Sequence, residues 1–518
     1  MPRLFLGAEL QSGARRSIEL ERHAVTFAGS GSGKGACQIT PNLFEWPESV
    51  VVVDPKGEAA KLTAEHRADV LGQQVAVLDP FGYAAGVPDR LRASVNPLDL
   101  VAYSEDLQNL ADGLIHRTAH DPQPFFDNTA HDVAAGLLAY LLEAPSLADR
   151  DRNLAGLLDA FQLARAEDAA TFTEMGACTR FGGMAARIGS RLLNAEKGTK
   201  NALESLETHL RWLSSERMNA WLRQPSTVDL HQLKRGTLSV YLVIPFDKLD
   251  GQRVFLRLFV AAMLRIMWEK MPDGAELGTR CLFVLDEFPA LGQLEALPVS
   301  ALPGGRSFGL HVWPFCQYWG QLVDVYGQSG AVAFLASADA VCVYGVDDDD
   351  TPRLVSGWFG DRTADDIELE GVALAALAPD DPITAERARL VHSTVNRPRL
   401  PADELTARIG KHEGDTVARE MVVKLRGGRL IFLRPSPYFA EAGRAAAPPP
   451  ATAAATPLRL SRWLGLNSFV VFTAAFVFAK VWTDIEGLAL SPLPEIWFGL
   501  VALWGAVLLV RMGVASPN

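Results

Sequence analysis

The sequence lacks paired cysteines. Its five thiols, Cys37, Cys178, Cys281, Cys316 and Cys342, are scattered without a CxxC spacing. That argues against a zinc site or a disulfide framework and suits a reducing compartment. It also lacks positive charge in excess: the formal net charge is −12. This excludes a surface coated continuously with Lys and Arg, though not nucleic acid handled inside a narrow basic channel. No stretch interleaves aromatic with basic residues in the manner of a single-strand binding groove. The opening segment, MPRLFLGAELQSGARR, has no apolar run of the length a secretory signal needs.

What is present is enough apolar material for more than one core. The chain has 518 residues, 48% of them hydrophobic, beyond the size at which a single core stops growing. Val25-Thr26-Phe27 is a short strand followed at once by a Gly/Ser loop and a helix. Val50 to Val53 and Val75 to Leu78 are continuous apolar runs, each closed by an aspartate (Asp54 and Asp79), as buried parallel strands would be. From residue 102 to 225 the texture turns to Ala, Leu, Arg and Glu at helical spacing, which predicts an all-helical insertion. Within it, Asn128 to His131 is expected to cap a helix over Val133–Leu142. Strand texture returns at 238–244, at Cys281 to Leu285 and at Gly309 to Phe315. Arg257 and Arg265 mark the apolar stretch 253–269 as a buried helix rather than a bilayer span. Asp347 to Asp350 reads as a solvated loop, because a cation cage needs ligands fixed from several directions.

Ala445 to Pro457 is low in complexity and rich in proline, an extended linker. Beyond it, Trp463 to Trp482 carries one charge, Lys480, and is long enough to cross the ~30 Å hydrocarbon layer as a helix. Ile496 to Val510 is shorter and uncharged. Arg459 and Arg462 before the pair, Arg511 after it, and Asp484 and Glu486 between them predict both ends on the cytoplasmic side. The expected anchor is thus a hairpin of two transmembrane helices within 463–511, the alternative being a re-entrant or interfacial hairpin.

Two motifs carry chemistry. Phosphate oxygens need several backbone N–H groups converging on one point, which demands a loop of small residues. Gly29, Ser30, Gly31, Ser32, Gly33, Lys34, Gly35 and Ala36 provide that loop between a strand and a helix. Lys34 supplies the ammonium for the β- and γ-phosphates of ATP, and the helix its positive end. Ala28 stands where the pattern has its first glycine, and Gly35 where Ser or Thr usually offers a hydroxyl to Mg2+. The second motif is Leu282 to Phe288, where a buried strand ends in two carboxylates at the edge at which open α/β sheets bind ligands. Asp286 is expected to hold Mg2+ through water, and Glu287 to polarise the attacking water.

With Pro41-Asn42-Leu43, Asp54-Pro55-Lys56-Gly57-Glu58, Asn96-Pro97-Leu98, Gln317 to Leu322 and Tyr326-Gly327, these motifs resemble the TraG-type conjugative coupling proteins over most of residues 22–440. The resemblance implies a RecA-like α/β motor, in two parts at 1–101 and 226–444, interrupted by the helical insertion at 102–225. It implies a hexameric ring on the bacterial inner membrane with the motor and both termini cytoplasmic. It implies ATP hydrolysis that drives a relaxase–DNA complex or a protein effector into a type IV secretion channel, with the helical insertion recruiting the cargo. Gln317 is then placed to sense the γ-phosphate, Arg306 to reach a neighbouring subunit's site as an arginine finger, and Lys56 to contact nucleotide or a neighbour. The family usually has Gly after the P-loop lysine, and carries its membrane segments before the motor, whereas here they follow it. The rival readings are a double-stranded DNA pump of the FtsK or HerA kind and a membrane scaffold that holds nucleotide without hydrolysing it.

Overall fold

The computed structural model describes residues 2–440 apart from 116–123, 195–196, 272–276, 295–296, 362–397 and 413. The linker at 445–457 and the apolar segments within 463–511 lie outside the described residues. No helix among those described is long and apolar enough to cross a membrane.

Eleven strands form one sheet: β1 (Arg3–Glu9), β2 (Arg15–Glu19), β3 (His23–Ala28), β4 (Ser49–Val53), β5 (Gln74–Leu78), β6 (Leu238–Leu242), β7 (Cys281–Leu285), β8 (Leu310–Cys316), β9 (Ala338–Tyr344), β10 (Met421–Leu425) and β11 (Leu430–Arg434). Their order across the sheet is β2-β1-β11-β10-β9-β3-β8-β7-β4-β6-β5. The seven from β9 to β5 are parallel, and β10, β11, β1 and β2 extend the β9 edge antiparallel. Alternation sorts the side chains. Val51, Val53, Phe283 and Leu285 enter the core on one face, whereas Val50, Val52, Leu282 and Val284 enter the core on the other, as the two-residue strand period requires. Both faces being covered explains why these strands read as unbroken apolar runs.

Between β5 and β6 every regular element described is a helix or helical turn, from Asp89–Leu91 to Gln232–Arg235, the longer helices running from Ser104–Leu114 to Glu216–Leu222. These helices share one core with the sheet face that carries Phe283 and with the helix Leu249–Trp268. Arg257 lies inside that core, where its Nε donates to the Gly113 carbonyl and burial pulls its pKa down to about 10. One expected boundary is corrected. The helix expected to begin near Asn128 runs over Pro124–Glu143, because Pro124 suits a first helical turn and needs no N–H partner there. The acidic run is folded rather than merely solvated: the Thr351 N–H and hydroxyl both donate to Asp348 Oδ2 at the start of the helix Asp350–Phe359.

The opening of β3 depends on a neutral histidine. His23 is 1% exposed, its Nδ1 accepts from the Val312 N–H of β8, and its Nε2 donates to the Leu302 carbonyl. Burial lowers its pKa from 6.5 to about 4. The unfolded chain therefore binds this proton more readily, so the stability is present above pH 6.5 and lost as pH falls towards 4. A His23→Gln variant should show a smaller drop in thermal midpoint between pH 7 and pH 4.5 than the parent, read by circular dichroism.

Candidate nucleotide-binding site

The site lies where β3, β8 and β7 end side by side. After β3 the chain turns back through a glycine loop: Gly31 and Gly33 hold φ of 70° and 91°, conformations that residues with a Cβ rarely adopt. Gly29 is required for space, since a Cβ there would meet the Gly345 carbonyl oxygen at 2.1 Å. Its N–H donates to that same oxygen at 3.1 Å. The loop is backed by the segment before β10: the Ala418 N–H donates to the Ser32 carbonyl, and Lys411 Nζ donates to the Ser30 carbonyl at 3.3 Å. Ser32 Oγ is buried with no partner. A π-helical turn, Gly35–Ile39, then leads into the helix Thr40–Glu45.

Lys34 leaves this turn and reaches across the end of β8 to β7. Its ammonium lies 2.8 Å from Asp286 Oδ1 and 2.6 Å from Glu287 Oε1. All three side chains are largely buried, at 8%, 14% and 13% exposure, so the attraction is little screened. Burial alone would lower the Lys34 pKa, but the two carboxylates outweigh it and raise it. From β8, Gln317 Nε2 donates to Glu287 Oε2 at 3.1 Å. Glu287 itself sits at φ 49° and ψ 43°, a left-handed conformation uncommon outside glycine. Lys34, Asp286, Glu287 and Gln317, read from three separate motifs, are thus one cluster.

Asp54 belongs to the same neighbourhood and was not singled out. It ends β4 as Asp286 ends β7, and the register places Val53 beside Leu285. Burial, and with it the nearby Asp286, pushes its carboxyl up to about 7, although it accepts from the Ala60 N–H. The signal was in the sequence, because both strands close on an aspartate. Burial likewise raises Asp286, with Lys34 opposing. Asp286 and Glu287 offer hard oxygen donors beside the ammonium, the kind Mg2+ takes, although among the described residues no three acidic, His or Cys side chains gather closely enough to hold a metal ion by themselves. Gly35 offers no hydroxyl, yet a Cβ there would meet nothing within 4 Å.

Two expected residues lie elsewhere. Lys56 is solvent-exposed beyond β4. Arg306 precedes β8 whereas Gln317 follows it, so about 23 Å of strand separates their ends. Arg306 is exposed and pairs with Glu21 Oε2 at 3.1 Å.

A glycine loop between strand and helix, its lysine, and two carboxylates closing the strand two places away define a P-loop nucleoside-triphosphatase fold. A family model described as "Type IV secretory system Conjugative DNA transfer" matches residues 7–369, and the chain belongs to that family. The conjugal transfer protein TraG of Rhizobium radiobacter is 27% identical over 66% of this chain and 53% of its own length. The type IV secretion system-coupling protein VirD4 of Bartonella quintana is 25% identical over 67% and 54%. The chain therefore spans about half the length of these relatives. Among solved structures, the conjugative coupling protein TrwB in a sulphate complex aligns with a TM-score of 0.54 at 16% identity, over 80% of this chain and 86% of that one. TrwB with ADP and Mg2+ gives 0.52 at 16%, over 80% and 85%.

Replacing Lys34 by Met leaves Asp286 and Glu287 facing each other without their cation. Urea unfolding at pH 8 is expected to show a loss on the order of 3 kcal/mol. An unchanged midpoint would mean that the acids find another partner.

Proposed function

We propose that this protein is an ATP-hydrolysing coupling protein, which recruits a relaxase-bound DNA strand or a protein effector and drives it towards a type IV secretion channel at the bacterial inner membrane. The observation that carries this reading is the contact of Lys34 with Asp286 and Glu287, with Gln317 donating to Glu287. A protein that only held nucleotide would have no use for a carboxylate aimed at the end of the P-loop. In this reading the backbone of residues 29–36 cradles the phosphates. Lys34 exchanges its carboxylate partners for β- and γ-phosphate oxygens, which frees Glu287 to take a proton from the attacking water. Gln317, bonded to Glu287, registers whether the γ-phosphate is there. Asp286 would hold Mg2+ through water with Asp54 behind it, and the ion would neutralise charge developing on the phosphates. Arg306, remote from its own P-loop, would act across an interface in a ring, most simply a hexamer. Lys56, exposed beyond β4, would meet the nucleotide or that neighbour. The helices of 102–225 are the proposed cargo-recruiting surface, and 463–511 the membrane anchor. Family membership and TrwB's own complex with ADP and Mg2+ support the nucleotide assignment.

ATP turnover by the full chain, with and without single-stranded DNA, tests the reading. Glu287→Gln is expected to retain nucleotide and lose about 10²–10⁴-fold in kcat, whereas Lys34→Ala should lose binding as well. Glu287→Gln turning over at the parent rate would defeat the assigned role. Stimulation of the parent by DNA favours DNA as cargo, and indifference favours protein.

Gly35→Ser gives a separate test of the metal. The open space around Gly35 should admit a hydroxymethyl group without strain, returning the hydroxyl found in other P-loops. The Mg2+ concentration for half-maximal turnover is expected to fall in this variant. No change would mean that the strand-end carboxylates alone set metal affinity.

A further inference from the structure

Tyr326 and Gly327 closed the motif that begins at Gln317, and nothing in the hydrolytic scheme uses them. They lie in the helix Trp319–Ser337, which starts two residues after Gln317. That helix is broken at Gly327, where φ is 67° and ψ 170°, a region open essentially to glycine alone. The break sets the Tyr326 ring flat on Phe288, the residue after Glu287. The centroids are 5.6 Å apart and the planes 7° from parallel. Phe334, from the far side of the break, stands edge-on to both rings at 5.5 and 5.0 Å. The Tyr326 hydroxyl accepts from the Leu294 N–H at 3.1 Å, which ties down the other end of the turn that follows Glu287.

We infer that Tyr326 is a positioning residue that holds Glu287 in its left-handed conformation by clamping Phe288. A non-glycine residue at φ 49° persists only where its surroundings over-determine it. On one side Glu287 is fixed by β7. On the other its backbone runs straight into Phe288, which is fully buried and sandwiched in this aromatic cluster. The same helix fixes the partner of Glu287 as well, because the Gln321 side-chain oxygen accepts from the Gln317 N–H at 2.8 Å. One helix thus sets both Glu287 and Gln317: Gln321 and Tyr326 act from before the glycine break, and Phe334 from beyond it closes on Phe288.

This inference rests on the hydrolytic role proposed for Glu287. Its test is steady-state ATP turnover by full-length Tyr326→Leu and Tyr326→Phe, beside binding of a fluorescent ADP analogue and hydrogen exchange in a peptide spanning 286–294. Tyr326→Leu removes the stack and is expected to lower kcat by about 10²-fold, the effect of misplacing a reacting group by roughly 1 Å. Nucleotide affinity should stay within about twofold, since no P-loop contact is touched, and exchange should quicken in 286–294. Tyr326→Phe keeps the stacked ring and should recover most of the turnover. Full kcat in Tyr326→Leu, or kcat and affinity falling together by the same factor, overturns the assignment while leaving the hydrolytic reading intact. A parent that binds the analogue but hydrolyses no ATP overturns both.

Discussion

Everything at the site depends on one lateral distance in the sheet. Lys34 belongs to the turn after β3, and its partners close β7, with β8 between them. Two strand spacings amount to about 10 Å, a gap that an extended lysine and a glutamate together just bridge. The parallel register keeps the three strand ends level, so the ammonium meets Asp286 and Glu287 rather than passing above or below them. The intervening strand is not idle: the residue that follows it, Gln317, falls into the gap and bonds to Glu287. Were β7 directly beside β3, the amide would have no place in the cluster.

Holding charged groups this way sets conditions on the rest of the molecule. A buried ammonium shared by two carboxylates needs its geometry enforced, because any partner left alone is expensive to bury. The enforcement comes from both sides. Against the P-loop stand Gly345 and the segment leading into β10, so close that glycines are needed at both 29 and 345. Behind Glu287 stands the aromatic cluster of Phe288, Tyr326 and Phe334. The antiparallel edge of the sheet is thereby tied to the nucleotide loop: β10 follows directly on the residues that touch Ser30 and Ser32.

The central strands were legible because burial on both faces leaves continuous apolar runs, and β3 to β8 fall within a few residues of where composition puts them. The edge strands β1, β2, β10 and β11 were not. Arg15 and Arg16 break the pattern of the partly exposed edge strand β2 and Lys424 that of β10, while β1 and β11 are short apolar runs with no motif beside them. β9 escaped notice despite its apolar run, since no recognised motif flanks it. The start of the helix at Pro124 was missed because the run Asn128 to His131 resembled a cap. Asp54 was passed over because its motif was read for Lys56 as the contact to nucleotide or a neighbour.

By itself the sequence determined the chemical parts: a loop of glycines before a lysine, an apolar strand closing on Asp286 and Glu287, a glutamine motif, and the apolar content to bury them. Those are local properties, set by residue type and short spacing. Which parts meet is decided by strand order, a long-range outcome of packing two faces of one sheet at once. Only the tertiary structure therefore put Gln317 against Glu287, drew Asp54 in beside Asp286, sent Arg306 to the opposite end of its strand, and laid Tyr326 on Phe288.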